Sequence, residues 1–232
     1  MKNETLRKRR IAIVAPALRQ IGGQSIQANR LLEAFETDEN VELIFVPNNS
    51  ETVFQNVKFL RTIFTSLKFW KQLFTIIPKV EAVQISSAAV SGYVIATLPP
   101  LFIAKLFKKR TILNYHSGEL EEHIKKWKLT AKPTMKMFDE IVVPSQFLAD
   151  VFAKFDLKAQ VVSNFIDTET FTFRERKPLR PIFLSNRNLD LHYNVGDILR
   201  AFQIIQNRFP EARLIVAGYG REEQALKSLA EK

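Results

Sequence analysis

Short apolar segments alternate with helical patterns along the first 168 residues, and this alternation constrains the fold more than any other feature. Each apolar segment is rich in β-branched residues and is bounded by turn residues, which is the pattern of a buried strand. We predict strands at residues 11–16, 41–47, 80–86, 110–115, 140–144 and 160–163. We predict helices between them at residues 25–35, 57–77, 92–107, 120–128 and 145–155. Strands that alternate with helices form an α/β fold with a doubly wound parallel sheet.

A second and shorter strand–helix pattern follows a basic linker over residues 167–181. It runs strand, helix, strand, helix, at residues 181–185, 195–208, 213–217 and 221–230. A parallel sheet needs several strands and cover on both faces, and two strands are few. We therefore predict an N-terminal domain over residues 1–168, followed over residues 169–232 by a linker and an incomplete second domain.

Composition narrows the possible partners. The net charge of +10 and the pI near 9.8 favour phosphates, nucleotides, nucleic acid or an anionic membrane surface. No nucleic-acid-binding motif is present, so we expect no nucleic-acid partner. The chain has no cysteine, which excludes disulfides and thiolate metal sites and fits a reducing, cytoplasmic compartment. Its histidines and carboxylates show no metal-ligand spacing, so we expect no metal site.

Two segments could involve a membrane. The predicted helix 57–77 places four basic residues mostly on one side, Lys58, Arg61, Lys68 and Lys71, and apolar residues on the other, including Leu67, Trp70, Leu73 and Phe74. Such a helix suits an anionic membrane interface, but a helix packed on the sheet with a solvated basic face has the same pattern. The uncharged stretch between Glu81 and Lys105 is long enough to span a bilayer. Its serines and its Pro99–Pro100 pair favour a buried strand followed by a buried helix.

The turn after the first strand contains Gly22 and Gly23 and leads directly into a helix. Paired glycines allow a tight turn and the close approach of a ligand, and the helix N-terminus can receive an anion. Gln24 or Ser25 could cap this helix. The spacing does not fit the dinucleotide fingerprint, and a turn that simply needs glycine explains it as well.

His116 follows the predicted strand 110–115, in the segment NYHSGE. Ligands of doubly wound sheets bind outside the carboxyl ends of the strands, so His116 is placed to touch one. The alternative is a cap or a buried, hydrogen-bonded ring. His123 lies on a charged helix, where we expect it to be solvated. Ser145 follows another strand end and is expected to cap a helix.

Five segments, in this order, carry a resemblance to a known family: IGGQS, NYHSGELEE, VPSQFL, VVSNFID and LIVAGYG. Together they resemble the family 4 glycosyltransferases, which have two Rossmann-like domains in the GT-B arrangement. The resemblance implies transfer of a sugar from a nucleotide-sugar donor to an acceptor, with retention of configuration and without an obligatory metal or another cofactor. It also implies that the N-terminal domain mostly serves the acceptor and the C-terminal domain mostly grips the donor nucleotide.

The resemblance assigns roles to residues of the N-terminal domain. Gly22 and Gly23 correspond to the glycine loop that approaches the donor diphosphate and the acceptor. His116 corresponds to a catalytic position near the reacting sugar. Asn164 belongs to the motif at which the chain crosses between domains.

In the second domain, Arg187 corresponds to the arginine that faces the diphosphate, and Gly218 and Gly220 to a glycine turn near the nucleotide. Tyr193 and Asn194 stand where the family usually has Lys-Gly. The acidic motif that holds the donor ribose and sugar is absent, so we expect a truncated donor domain with impaired activity.

The expected partners are a nucleotide sugar and an acceptor that could be a glycan, a lipid or a small molecule. An anionic membrane surface is a further expected partner, with the protein peripheral at the inner face of the membrane. The alternative interpretation is a non-catalytic module that binds a nucleotide or a membrane surface.

Overall fold

The computed structural model describes residues 8–19, 22–49, 58–87, 92–178 and 180–231, and of residues 58–61 it describes the backbone only. The chain forms two compact units, one up to Ile166 and one from Asp167 onward.

The first unit contains a sheet of six strands in the order β2-β1-β3-β4-β5-β6, and every neighbouring pair is parallel. The strands are β1 (Arg9–Ala15), β2 (Val41–Pro47), β3 (Ala82–Ser87), β4 (Arg110–Tyr115), β5 (Glu140–Val143) and β6 (Gln160–Val161). The prediction of a doubly wound parallel sheet is confirmed.

Six α-helices connect these strands: α1 (Gly23–Ala34), α2 (Lys58–Ile76), α3 (Leu98–Leu106), α4 (Leu120–Lys126), α5 (Ala131–Met135) and α6 (Gln146–Ala153). The predicted helix 92–107 begins as a π-helical turn, Tyr93–Thr97, and continues as α3 with Pro99 and Pro100 in its first turn, where a missing N–H is tolerated. No helix within the described ranges is both long and apolar enough to cross a membrane.

The strand order reverses direction at β1, and this reversal decides which face each helix covers. Because crossovers between parallel strands are right-handed, α1 packs on one face and the later helices pack on the other. The larger core lies between the sheet and α2–α6 and includes Val14, Val83, Ile85, Leu113 and Val143. The smaller core lies beneath α1 and contains Ile13, Ala15 and Ala28.

His123 was expected to be solvated, and this expectation is wrong. The ring is 1% exposed, because α4 turns Leu120, His123 and Ile124 together toward the larger core. Its Nδ1 lies 3.3 Å from the hydroxyl of Tyr115, and its ring packs edge-on against Tyr93 with a centroid distance of 4.9 Å. His123 is therefore part of the packed interior.

The second unit contains the parallel strands β7 (Ile182–Ser185) and β8 (Arg213–Val216) with α7 (Val195–Arg208) and α8 (Glu223–Ala230). Its buried cluster consists of Leu189, Val195 and Leu226, against which Leu199 packs. Most residues of the two strands remain exposed, including Ile182, Leu184 and Ile215.

Candidate functional site

The carboxyl edge of the first unit's sheet brings together the ends of β1, β3 and β4 and the N-terminus of α1. The strand order reverses between β1 and β3, and such a reversal opens the crevice in which doubly wound sheets bind ligands. Two hydrogen bonds fix the loop after β1 here. Gln24 Nε2 donates to the carbonyl of Ser87 at 2.6 Å, and the amide of Ala17 donates to Asn49 Oδ1 at 2.6 Å.

The N-terminus of α1 lies at this crevice, and its N-cap residue, Gly22, has no side chain to cap the helix. The expectation that Gln24 or Ser25 caps it is wrong. Ser25 Oγ donates to the carbonyl of Gly22 at 2.8 Å, and Gln24 reaches across to Ser87. The first amides of a helix carry partial positive charge and need acceptors. This end of α1 therefore suits an anionic group.

Gly22 and Gly23 are not required by the backbone at this turn. Neither has a left-handed φ, and Gly22 is extended at −170°. Among the described residues, a Cβ at Gly22 would come no closer than 3.8 Å to Ser25 Oγ, and a Cβ at Gly23 would meet no heavy atom within 4 Å. Residues 20–21 of the turn lie outside the described residues, so the tight turn stays a prediction. The absent side chains leave space beside the helix end within the described part of the chain.

His116 follows β4 at the same edge and is half-buried. Its Nε2 lies 2.7 Å from Asn114 Oδ1. Since a carbonyl oxygen only accepts hydrogen bonds, Nε2 carries the proton and Nδ1 is left as an acceptor. Burial lowers the pKa of His116 below its ordinary value, so the ring is neutral at pH 7.

A cavity of about 280 Å³ opens beside His116 on the sheet face that α1 only partly covers. Its lining includes Gln24, Ser86, Asn114 and Asn164. The sequence analysis did not select Ser86 or Asn114 as site residues. The sequence could have indicated both, because each is a polar residue near the carboxyl end of a predicted strand, and the two strands are neighbours.

The segment after β6 closes one side of this cavity and is held by α1. Arg30 Nη1 donates to the carbonyl of Phe165 at 2.7 Å, and Gln27 Nε2 donates to the same oxygen at 3.1 Å. These bonds hold Asn164 on the cavity wall.

In the second unit, Arg187 lies in the exposed loop that follows β7. Its guanidinium lies 5.9 Å from the ring centroid of Tyr193. Among the described residues, no carboxylate lies within ion-pair distance of it. The planar fork of donors is therefore available to an anion, with one face resting on an aromatic ring.

Gly218 and Gly220 are required because two loops interlock. A Cβ at Gly218 would lie 2.1 Å from the carbonyl oxygen of Arg187, and one at Gly220 would lie 2.3 Å from that of Leu189. Backbone bonds connect the same loops, from Leu189 N to the carbonyl of Tyr219 at 2.9 Å and from Glu222 N to the carbonyl of Leu189 at 2.8 Å. These glycines therefore position the loop that carries Arg187.

Asn194 lies in the turn before α7. It adopts a left-handed conformation with φ 49°, which asparagine accepts more readily than most residues. Its Nδ2 donates to Asp197 Oδ2 at 2.5 Å, at the start of α7. The turn thus holds Tyr193, whose aromatic ring lies near the guanidinium of Arg187.

The structure thus groups the predicted residues by unit. Gly22, Gly23 and His116 lie at the carboxyl edge of the first sheet. Arg187 and Gly218 touch one another in the second unit, with Gly220 next to them. No group of three His, Asp or Glu side chains that could hold a metal is found in the part of the chain described.

No family model and no curated protein sequence matches the chain. Among solved structures, it is similar to a mutant of S. aureus TarM in complex with fondaparinux, alpha-GlcNAc-glycerol and UDP. The TM-score is 0.51 at 10% identity, over 74% of this chain and 34% of TarM, so the chain spans about a third of TarM's length.

It is also similar to an alpha-glucosyltransferase in complex with UDP-glucose and DNA containing an abasic site. That TM-score is 0.44 at 13% identity, over 94% of this chain and 70% of the other. At 10% identity the likeness to TarM concerns the fold alone. The chain has an α/β fold with a six-stranded parallel sheet flanked by helices.

Proposed function

We propose that the protein is a family 4 glycosyltransferase of the hexosyltransferase type, which uses a UDP-sugar as donor. In this proposal residues 1–168 form the acceptor-side domain, and residues 169–232 carry the linker and the donor-side domain. Transfer proceeds with retention of configuration and without a metal or other cofactor. The acceptor is a glycan, a lipid or a small molecule.

One observation carries the proposal. A helix N-terminus that begins at a glycine N-cap and a neutral histidine occupy the same carboxyl edge of the sheet, at its topological switch point. The amides of α1 offer positive partial charge to an anion. Nδ1 of His116 accepts a hydrogen bond from a hydroxyl group, such as one on the sugar or the acceptor. TarM, whose fold is similar, was solved with UDP and a GlcNAc-glycerol.

On the donor side, Arg187 supplies the charge that binds the diphosphate. A guanidinium fork binds phosphate oxygens in a bidentate manner. As the bond between sugar and diphosphate breaks, negative charge grows on the departing UDP. Fixed positive groups stabilise that charge in the transition state. Gly218 and Gly220 hold the loop that places Arg187.

Calorimetric titration of the 232-residue chain with UDP tests the donor side. We expect Arg187→Gln to weaken UDP binding by roughly tenfold to a hundredfold, which is the usual contribution of a charge-assisted hydrogen-bonding pair. Arg208→Gln is the matched control, since Arg208 lies in the same unit with its guanidinium 5.8 Å from the ring centroid of Phe209. Equal affinities of the two variants would contradict the assignment.

The open strands of the second unit favour a second candidate function. Ile182, Leu184 and Ile215 are more than half exposed, so this unit offers few walls around a bound sugar. A module of this kind could bind the nucleotide without catalysing transfer. Incubation with UDP-[14C]glucose and UDP-[14C]GlcNAc separates the two functions. Transfer moves the label from UDP to an acceptor, whereas simple binding leaves it on the nucleotide.

A further inference from the structure

Helix α2 is apolar on two sides, and only one of them is covered. Phe69 and Leu73 are buried in the larger core, at 3% and 0% exposure. The sequence analysis placed Leu73 on one side together with its apolar neighbours. The structure instead leaves a separate row exposed by 39–61%, consisting of Ile63, Leu67, Trp70 and Phe74. The spacing of this row, four, three and four residues, keeps it on a single line along the helix.

This row continues onto the end of α3. The rings of Trp70 and Phe74 are 6.2 Å apart, and Phe74 meets the edge of Phe107 at 6.5 Å. We call the set of Ile63, Leu67, Trp70, Phe74 and Phe107 the aromatic face. Leu106, next to Phe107 in sequence, is 68% exposed. A contiguous exposed apolar surface of this kind marks a site of interaction.

Positive charge is concentrated in the segment that contains the aromatic face. Residues 52–118 hold nine lysines and arginines against one carboxylate, Glu81, and so carry eight of the ten net charges of the chain. Lys68 and Lys71 lie on α2 and are exposed, and Lys108 and Lys109 directly follow Phe107. A binding partner that matches the aromatic face would offer an apolar region to the exposed rings and negative charge to the neighbouring lysines.

The turn after α3 carries two of these lysines directly after Phe107. Lys108 adopts a left-handed conformation with φ 53°, at a helix end where glycine is preferred. Lys105, Lys108, Lys109 and Arg110 line a shallow hollow together with Asp139; Lys105 pairs with Asp139 at 2.8 Å, and Arg110 pairs with Glu140. Lys108 and Lys109 have no ion pair among the described residues, and their charge suits the phosphate of a headgroup.

We propose that the aromatic face docks the protein peripherally on an anionic phospholipid bilayer. Tryptophan and phenylalanine insert at the boundary of headgroups and acyl chains, while lysine stems extend their charges to the headgroup phosphates. Pairing of two copies through this face would bring the lysines of one copy against those of the other, which is unfavourable. The proposal does not depend on the proposed sugar transfer.

Trp70 gives a direct readout, because the chain has only two tryptophans. In a Trp127→Phe chain, Trp70 is the sole tryptophan, and selective excitation of tryptophan reports on it alone. We expect its emission to shift to the blue on addition of phosphatidylcholine vesicles containing phosphatidylglycerol, and brominated acyl chains to quench it. Vesicles of pure phosphatidylcholine should produce little change, and added salt should weaken the binding. Absence of any shift with the anionic vesicles would overturn the proposal.

Two charge variants distinguish binding through the aromatic face from nonspecific attraction between a positively charged protein and an anionic membrane. The first replaces Lys68, Lys71, Lys108 and Lys109 by Gln, and the control replaces the exposed Lys126, Lys128, Lys136 and Lys158 by Gln. Both lower the net charge equally. Each basic residue near an anionic surface contributes about fivefold to binding, so the first variant should lose more than a hundredfold in co-sedimentation and the control much less.

Equal losses in the two charge variants would overturn the proposal. So would a Trp70 shift that depends on protein concentration without vesicles, since this would show that a second copy covers the face. Circular dichroism of both variants should match that of the parent chain, because all eight lysines are at the surface.

Discussion

Both units have glycines in a turn that follows a strand, Gly22 and Gly23 in the first and Gly218 and Gly220 in the second. A Cβ at Gly23 would meet no heavy atom within 4 Å, whereas one at Gly220 would lie 2.3 Å from the carbonyl oxygen of Leu189. Gly22 and Gly23 leave space at the edge of the six-stranded sheet. Gly218 and Gly220 allow their own loop to approach the backbone of the loop that carries Arg187 and Leu189. Glycines at similar places in a βα pattern thus have different physical reasons.

The two units also differ in how their candidate site residues are placed relative to the hydrophobic core. In the first unit, five helices bury one face of a six-stranded sheet, and the site residues lie on its rim. In the second unit, the buried cluster holds Leu189, Val195 and Leu226, and Leu189 belongs to the loop that carries Arg187. The loop that carries Arg187 is therefore anchored in the core of the second unit by Leu189, and a substitution at these buried contacts changes folding and the placement of Arg187 together.

The largest effect is expected for Gly220→Ala. The added Cβ collides with backbone atoms of Leu189 that cannot move without breaking the bonds to Tyr219 and Glu222. We expect a loss of about 3 kcal/mol in the second unit, at the upper end for overpacking. Hydrogen exchange of the β7 and β8 amides measures it. Unchanged protection there would show that the loops are not interlocked.

The Gly22→Ala/Gly23→Ala variant should behave in the opposite way. Both sites have room for a Cβ, and Gly23 is the first residue of α1, so the free energy of unfolding should change by less than about 1 kcal/mol. The methyl groups occupy the space proposed for the ligand, so binding of UDP-sugar should weaken by about tenfold. Urea unfolding and calorimetry report the two effects separately. Loss of stability with binding intact would reverse their assigned roles.

Acid should destabilise the first unit over a defined pH range. Burial lowers the pKa of both His116 and His123, so their neutral forms stabilise the fold. This stability is fully present above the unfolded pKa near 6.5 and is lost as the pH falls from there toward the folded pKa values. The slope is limited to about 1.4 kcal/mol per pH unit for each ring.

Urea unfolding at pH 7.5, 6.5 and 5.5, followed by near-UV circular dichroism, measures this dependence. His123→Phe should be less sensitive to pH in this range than the parent chain. The same slope in the variant would indicate that His123 does not contribute.

The smallest effect is expected at Tyr193. Its ring lies under the guanidinium of Arg187, and such contacts contribute about 0.5–1 kcal/mol at exposed sites. Tyr193→Leu should weaken UDP binding by about twofold to fivefold, whereas Tyr193→Phe should retain the parent affinity. Identical titrations for both variants would show that the ring does not position Arg187.

Much of the fold was readable from the sequence. The predicted strands 41–47 and 110–115 and the predicted helix 195–208 end where the observed elements end, because their apolar periodicity stops at turn residues. Helix α5 was missed, since Pro133 argues against a helix and is tolerated only in its first turn. The burial of His123 depends on the rotation of α4, which a short helix with charges on several sides does not reveal.

The site was less readable. Gly22, Gly23 and His116 lie at the strand edge where the sequence placed them, and their roles in binding stay predictions. The positive φ that would require glycine is not found at Gly22 or Gly23, because the conformation of a loop does not follow from its composition. From the sequence alone, the exposed apolar residues of α2 could not be distinguished from the buried ones. Phe69 and Trp70 look alike in sequence, and only packing against the sheet distinguishes them.

The central claim is that the Arg187 loop of the second unit binds the diphosphate of a UDP-sugar. Titration of the 15N-labelled chain with UDP-glucose, followed by 1H–15N correlation spectra, tests it most directly. We predict saturable shifts in the amides of Arg187, Gly218 and Gly220, and their loss in Arg187→Gln. Shifts confined to other residues, or unchanged spectra at millimolar UDP-glucose, would contradict the account.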